Sequence, residues 1–304
     1  MNPDISIIIC SRNRREDLAK TLDSLEQQHA PPGSTIELLV VDNDSSDGTA
    51  NLLRSHTTRL GTFRWVNEPT PGLAHARNRA LAEAHGSILV WTDDDVRFQP
   101  DWLNNLVTPL LDNRADAVKG PVTLPAHYWE HIQGTPLERR LSWVAVDTNF
   151  SEAEPGLLIG ANMAFHRRVL EHVREFDPAL GAGPNSLGFA EETLFSIQMR
   201  YSGFRTIAAM DAVVEHHFGL QRLGVDRLLD IAERMGHSKA YMDIALRRRV
   251  PRFPSLKLAR INSTFFLRTI AWLLVDRDTS SRDELRIRHR SSTGYLRGVR
   301  RFAA

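Results

Sequence analysis

Short apolar β-branched runs alternate, through the first half of the chain, with stretches whose leucines recur at helical spacing. Ile5 to Cys10 (ISIIIC), Ile36 to Val41 (IELLVV) and Ser87 to Thr92 (SILVWT) are almost uniformly apolar. Runs of this kind predict strands covered on both faces, which is how strands of a mostly parallel sheet read. Between the first two, Glu16 to Gln28 places Leu18, Leu22 and Leu25 on one helical face, and Pro31, Pro32 and Gly33 end that helix. Further helices are expected from Thr49, over Leu73 to His85 with Gly86 as its cap, and over Trp102 to Leu111. Short strands are expected at Phe63 to Val66 and Ala117 to Val122. The alternation predicts an α/β fold with helices flanking a mostly parallel sheet.

The pattern weakens from about Thr123 to Leu158, where Pro125, Pro136 and Pro155 interrupt it. A strand-like run returns at Leu157 to Phe165, a helix at Glu191 to Ser202, and a strand-like stretch at Arg205 to Val214 that leads into His216 and His217. From Arg222 through Ala259 and beyond the character is helical. The division expected is residues 1–240 as one α/β domain, with halves 1–122 and 123–240, and residues 241–304 as a helical extension ending in a basic tail.

Charge narrows the function classes. Lys plus Arg total 38 against 37 for Asp plus Glu, a formal net charge of +1, which lacks the basic surplus of a nucleic-acid binder. Cys10 is the single cysteine, so no intramolecular disulfide can form and a reducing compartment is expected. Neither a signal peptide nor a membrane span is legible, so a cytoplasmic protein is expected, with room for peripheral contact at the inner face of the cell membrane.

Two expected strands end in carboxylates, Asp42 after IELLVV and Asp93, Asp94 and Asp95 after SILVWT. Ligands of open α/β sheets bind beyond the carboxyl ends of the strands. Three adjacent carboxylates repel one another, and a hard divalent cation would offset that repulsion. In a tight turn Asp93 and Asp95 can face one site while Asp94 points elsewhere. The competing explanation is a solvated acidic turn ahead of a helix N-terminus.

Several segments, taken in order, resemble the family-2 glycosyltransferases, an inverting group with the GT-A fold. They are ISIIICSRNRREDLAKTLDSL, LLVVDNDSSDGT, NEPTPGLAHARNRAL, ILVWTDDDV, GANMAFHR, FDPALG and GFAEETLF, and the resemblance covers about residues 4 to 240. It implies a Rossmann-like half that binds a nucleotide-sugar donor, an acceptor-side half, and Mg²⁺ or Mn²⁺ as cofactor. The acceptor would be a polysaccharide or lipid-linked glycan, and the product of transfer would have inverted anomeric configuration. Residue by residue, Asp42 would accept a hydrogen bond from the nucleotide base, with the backbone at Ser11 and Arg12 lining the same pocket. Arg77 would contact ribose or diphosphate. Asp93, with Asp94 beside it, would lie near the ribose and metal, Asp95 would be the principal metal ligand, and His216 would be preferred over His217 as a further ligand. The family's Glu-Asp pair is Glu191–Glu192 here, a departure that leaves open which glutamate is the base; Glu192 is favoured, with Glu191 orienting or binding acceptor hydroxyls.

Two alternatives stay open. A non-catalytic nucleotide-sugar or glycan-binding protein of the same fold is compatible with the altered glutamate pair. A sugar nucleotidyltransferase fits less well, because SRNRRED carries no glycine to wrap a triphosphate. In the C-terminal section, Leu256 to Val275 is expected to be a helix with one apolar face carrying Leu258, Ile261, Phe265 and Ile270, flanked by arginines. That helix and the arginine-rich stretch from Ser280 suit either a docking surface for anionic lipid or packing within the fold or a homodimer.

Overall fold

Apolar strands that must be covered on both faces dictate the core of the molecule. The computed structural model describes residues 2–275 and 279–303; residues 276–278 and 304, which belong to the expected extension and its tail, lie outside the described residues. The chain forms two compact units: residues 1–125, 145–185 and 191–218 make the first, and residues 126–144, 186–190 and 219–304 the second.

In the first unit the elements run β1 (Ile5–Ser11), α1 (Arg15–Leu25), β2 (Ile36–Asp42), α2 (Thr49–Ser55), β3 (Thr62–Asn67), α3 (Leu73–Glu83) and β4 (Ile88–Thr92). They continue with β5 (Val96–Phe98), α4 (Trp102–Leu111), β6 (Ala117–Lys119) and β7 (Val122–Thr123). The second unit supplies α5 (Ala126–Ile132), after which β8 (Asn162–His166), α6 (Glu191–Tyr201), β9 (Thr206–Ala208) and β10 (Val214–His216) complete the first. The seven-stranded sheet has the order β3-β2-β1-β4-β8-β6-β9. Its pairs are parallel except where β8 runs antiparallel to β4 and β6. This is the α/β, mostly parallel architecture expected from the strand–helix alternation.

Every residue of β2 and β4 is buried, because apolar side chains fill both faces of the sheet. One face packs Ile7, Ile9, Leu38 and Val90 with Leu18 and Leu22 of α1 and Trp102 and Leu106 of α4. The other packs Ile8, Leu39, Leu89 and Trp91 with α3 and with Phe165, Phe176 and Phe195. Register then aligns the strand ends: Ser11 pairs with Asp42, and Ile9 with Thr92, so β1, β2 and β4 deliver their last residues to one edge.

Several expected elements are divided or shortened. Ala117 to Val122 is two strands in two sheets, because the ladder to β8 runs on only as far as the Gly120 N–H, which donates to the Asn162 carbonyl, and Pro121 has no N–H to continue it. Arg205 to Val214 likewise splits into β9 and β10. The Asn162 side chain holds that arrangement, donating to the carbonyls of Pro121 and Ala212 and accepting from the Trp102 indole. Strand character in Leu157 to Phe165 begins only at Asn162. Gly86 does not cap α3, which stops at Glu83; its N–H donates to Ser6 Oγ instead.

The second unit is helical: α5, then α7 (Val225–Ala245), α8 (Pro254–Val275) and α9 (Thr279–Phe302). The helical character expected past Arg222 is present as separate helices, interrupted between Ala245 and Pro254, where Pro251 and Pro254 each lack a helical donor. The expected basic tail is the helix α9, with Ile287, Leu296 and Val299 buried. Glycines make that packing possible. A Cβ at Gly294 would overlap the backbone of Glu233, and one at Gly236 the backbone of Ser291, so α7 and α9 approach too closely for any larger residue. Arg290 and Arg297 both donate to Glu233 across the same contact, at 2.8 and 2.6 Å. No helix among the described residues is long and apolar enough to cross a membrane.

Candidate functional site

The carboxyl edge of the large sheet carries a connected set of charges. β4 ends at Thr92, and the turn that follows holds Asp93 half-buried and Asp94 and Asp95 buried. Antiparallel pairing of β10 with β5 places His216 opposite Val96, one residue beyond Asp95. His216 is thereby buried with Nε2 3.0 Å from Asp95 Oδ1, and the His217 N–H donates to the Asp95 carbonyl while its ring turns to Glu215. Alternation along the extended chain is the reason only one of the two histidines faces the carboxylates.

Asp93, Asp95 and His216 can each offer one ligand atom within 4.8 Å of the others. Two carboxylate oxygens suit Mg²⁺ or Mn²⁺, and the imidazole nitrogen favours Mn²⁺ of the two. The donor set therefore fits the cation that the sequence resemblance implies. Asp94 turns away from this group: it accepts the Ser11 hydroxyl at 2.6 Å and lies 3.5 Å from Arg14 Nε. Burial pushes its carboxyl up to about 7, with Arg14 opposing the shift and Asp95 adding to it. Burial also raises Asp93, against the pull of Arg77.

Arg77 joins the strand-end carboxylates to α6. It lies on α3, buried, with its guanidinium over the Phe176 ring at 5.4 Å. Phe176 in turn stacks on Phe195, four residues beyond Glu191 on α6, so Glu191 and Phe195 share the inward face of that helix. Arg77 Nη1 donates to Glu191 Oε1 at 2.6 Å and lies 3.9 Å from Glu192 Oε2, while Nη2 is 3.8 Å from Asp93 Oδ1. Room for the guanidinium depends on Gly160, where a Cβ would overlap it. Glu83, further along α3, pairs with Arg79 and Arg64.

The two glutamates differ. Glu191 is buried and held by Arg77. Glu192 retains 22% side-chain exposure, and its carboxyl is pushed up to about 8, first by burial and then by the charge of Glu191, with Arg77 opposing. A carboxylate with a raised pKa is a stronger proton acceptor, the property a general base needs.

The remaining candidates stand at the neighbouring strand ends. Asp42 is buried at the end of β2 and accepts the Ser45 N–H at 3.1 Å. The Ser11 carbonyl accepts the Asn43 N–H at 2.8 Å, which ties the ends of β1 and β2 together. Arg12 is exposed.

Arg14 was not singled out in the sequence. Its Nη2 lies 2.7 Å from Asp95 Oδ2, which makes it the principal cationic partner of the buried aspartate. In the run SRNRRED nothing distinguishes it from its neighbours; the signal that existed was a cation directly after a strand expected to end beside Asp93 to Asp95. Asn43 was also missed. It donates to the carbonyls of Glu68 and Thr70 and accepts from the Gly72 N–H, anchoring the loop ahead of α3.

Similarity to known proteins agrees with this geometry. A 29% identity over 182 residues relates the chain to Glycosyltransferase AglE of Haloferax volcanii, covering 60% of this chain and 58% of that protein. The Succinoglycan biosynthesis protein ExoM of Rhizobium meliloti is 33% identical over 125 residues, 41% of this chain and 40% of that one. The chain thus spans between two fifths and three fifths of the length of these relatives. Among solved structures, the mannosyltransferase PcManGT from Pyrobaculum calidifontis, in complex with GDP-Man and Mn²⁺, shares the fold with a TM-score of 0.61 at 21% identity, over 96% of this chain and 86% of that one. S. aureus TarS 1-349 superposes with a TM-score of 0.51 at 16% identity, over 99% of this chain and 91% of that one. The sequence profile of Glycosyl transferase family 2 matches residues 6–174, more than half the chain, and with the strand-end carboxylates it establishes that the chain belongs to that family.

Proposed function

We propose that this protein transfers a sugar from a nucleoside-diphosphate sugar to an acceptor hydroxyl, with inversion at the anomeric carbon. One observation carries the proposal: a single buried guanidinium, that of Arg77, reaches Asp93 at the strand edge and both Glu191 and Glu192 on α6. Asp93, a candidate donor-side carboxylate, and the candidate base Glu192 are thereby gathered around one fixed cation.

Asp93, Asp95 and His216 would hold Mg²⁺ or Mn²⁺, and that ion, when bound, would offset the negative charge gathering on the departing diphosphate. Asp42 would orient the base, with the backbone at Ser11 and Arg12 beside it. Arg77 holds Glu191 in place, and burial together with the charge of Glu191 raises Glu192 as a proton acceptor. Glu192 would take the proton of the acceptor hydroxyl while the hydroxyl oxygen attacks the anomeric carbon. The acceptor class that suits the relatives is a polysaccharide or a lipid-linked glycan; one of them, from Haloferax volcanii, is named a glucosyl-dolichyl phosphate glucuronosyltransferase and is 24% identical over 248 residues.

The test is Glu192→Gln. Loss of the base is expected to lower transfer by about a hundredfold or more while nucleotide-sugar binding, read by thermal shift with Mn²⁺, stays near that of the unaltered protein. In the unaltered protein the rate should climb as pH rises toward 8, because Glu192 acts only after losing its proton. Transfer that survives in Glu192→Gln rejects Glu192 as the base. Donor binding without any transfer or donor hydrolysis in the unaltered protein favours a non-catalytic sugar-nucleotide binder.

A further inference from the structure

Helix α8 is apolar on two opposite sides. Leu258, Ile261, Phe265, Thr269 and Trp272 are half-buried, and this side packs on α9, where the Phe265 and His289 rings stack at 4.0 Å. On the other side Leu256, Ala259, Phe266, Leu267 and Ile270 recur at the three- and four-residue spacing of a single helical face, and all are exposed. Exposure runs from 39% at Ile270 to 72% at Leu256, with Phe266 at 64% and Leu267 at 65%. Phe253, just ahead of the helix, is 69% exposed. A helix of a water-soluble surface carries polar residues opposite its packed side, so a second apolar side requires another surrounding.

The charges beside that face have one sign. From Arg247 to Val275 the sequence holds Arg247, Arg248, Arg249, Arg252, Lys257, Arg260 and Arg268 and no acidic residue. Among the described residues no carboxylate lies within ion-pair distance of Lys257, Arg260 or Arg268. The arginines of α9 are employed differently: Arg290 and Arg297 bind Glu233, Arg286 binds Asp283, and Arg288 shares Glu284 with Arg140. Lys257, Arg260 and Arg268 are all exposed and stand beside the apolar outer face. Cations around an apolar floor match a lipid phosphate above its acyl chains.

We propose that the outer face of α8 docks on an anionic lipid bilayer, Phe266, Leu267, Leu256 and Ile270 entering the interface and Lys257, Arg260 and Arg268 meeting the headgroup phosphates. The uniform sign of the charge selects this occupant over a second copy of the chain, because two such faces brought together would set unpaired cations against one another. Docking of this kind lies flat on the membrane and needs no spanning segment.

The experiment is flotation of the full-length protein with vesicles of phosphatidylcholine alone and with about one third phosphatidylglycerol. Binding is expected to the anionic vesicles, weakened by high salt, and to be slight with phosphatidylcholine alone. Phe266→Glu with Leu267→Glu, and separately Lys257→Glu with Arg260→Glu and Arg268→Glu, should each lower the partition coefficient by about tenfold or more. All five side chains are outward-facing, so the melting temperature should hold; if the apolar variant melts early, the charge variant decides. No binding of the unaltered protein to anionic vesicles overturns the proposal, as does binding unchanged in the charge variant. A dimer in sedimentation that Phe266→Glu with Leu267→Glu dissociates also overturns it, and gives the face to a second copy.

Discussion

The sheet edge and the α7–α9 helix pair both concentrate charge, and they handle it in opposite ways. At the sheet edge Arg77, Glu191 and Asp95 are almost entirely buried, the Arg77–Glu191 pair is internal, and a part-buried Arg14 reaches Asp95. Between α7 and α9 the arginines are about half exposed, at 50% for Arg290 and 53% for Arg297, while glycines rather than charges set the closeness of the helices. Burying an ion costs several kcal/mol that its partner rarely repays in full, so a cluster of buried ions is poor as a stabilising device. Its presence at the carboxyl edge of a mostly parallel sheet is what a binding site for a charged substrate requires. Exposed pairs of the second kind cost little and contribute little.

The widest separation between the two regions should come from Arg77→Ala. It leaves Glu191 buried with no cation, which costs about 3–5 kcal/mol for a pair of this burial, and it removes the link between Asp93 and α6. Turnover is expected to fall below detection and the sheet unit to melt earlier. Adding Glu191→Ala should restore much of the stability and none of the activity. If Arg77→Ala alone melts like the unaltered protein, the buried pair is not the strut described above. Gly160→Ala probes the same guanidinium without deleting it, since the added methyl occupies its space.

That contrast was only partly written in the sequence. β1, β2 and β4 are legible because an uninterrupted β-branched run leaves few alternatives to a buried strand, and the aspartates at their ends follow from chain position alone. Strands of two or three residues such as β6, β7, β9 and β10 have no period to detect, so two continuous runs were expected where the chain changes sheet at Pro121 and after Ala208. The partnership of Arg77 with Glu191 spans 114 residues and depends on Gly160 and Phe176, none of which announces it locally. Arg14 is hidden among equal neighbours. In α9 the arginines dominated the expectation of a tail, although Gly294 and Gly298, with Ile287, Leu296 and Val299, had the spacing of a close helix contact.

On the helical side the largest response should follow loss of that close contact. Gly294→Leu places a side chain against the backbone of Glu233, so α7 and α9 must separate. The expected cost is about 1–3 kcal/mol, read as earlier loss of helical circular dichroism. Sugar transfer measured well below the transition should persist, since none of the proposed site residues lies on these helices. Transfer lost together with helix packing would erase the distinction between the two regions.

The smallest effect concerns a pair of intermediate kind, Arg140 with Glu284. Both guanidinium bonds measure 2.7 Å, and the carboxylate is 19% exposed. The Arg140 hydrogen bond, with help from Arg288 and against desolvation, pulls the Glu284 carboxyl from 4.5 down to about 2. A carboxyl that is more acidic in the folded chain than in the unfolded one stabilises the fold only while ionised. Its contribution is therefore complete above pH 4.5 and disappears as pH falls toward 2. Solvent screening of a partly exposed pair limits the amount to about 1 kcal/mol. Glu284→Gln should accordingly speed hydrogen exchange of α9 amides near neutral pH, and the two proteins should converge as pH drops through that window. A difference that persists undiminished at the acid end would mean that the glutamine acts through altered packing, and that the charge of Glu284 has no part in holding α9.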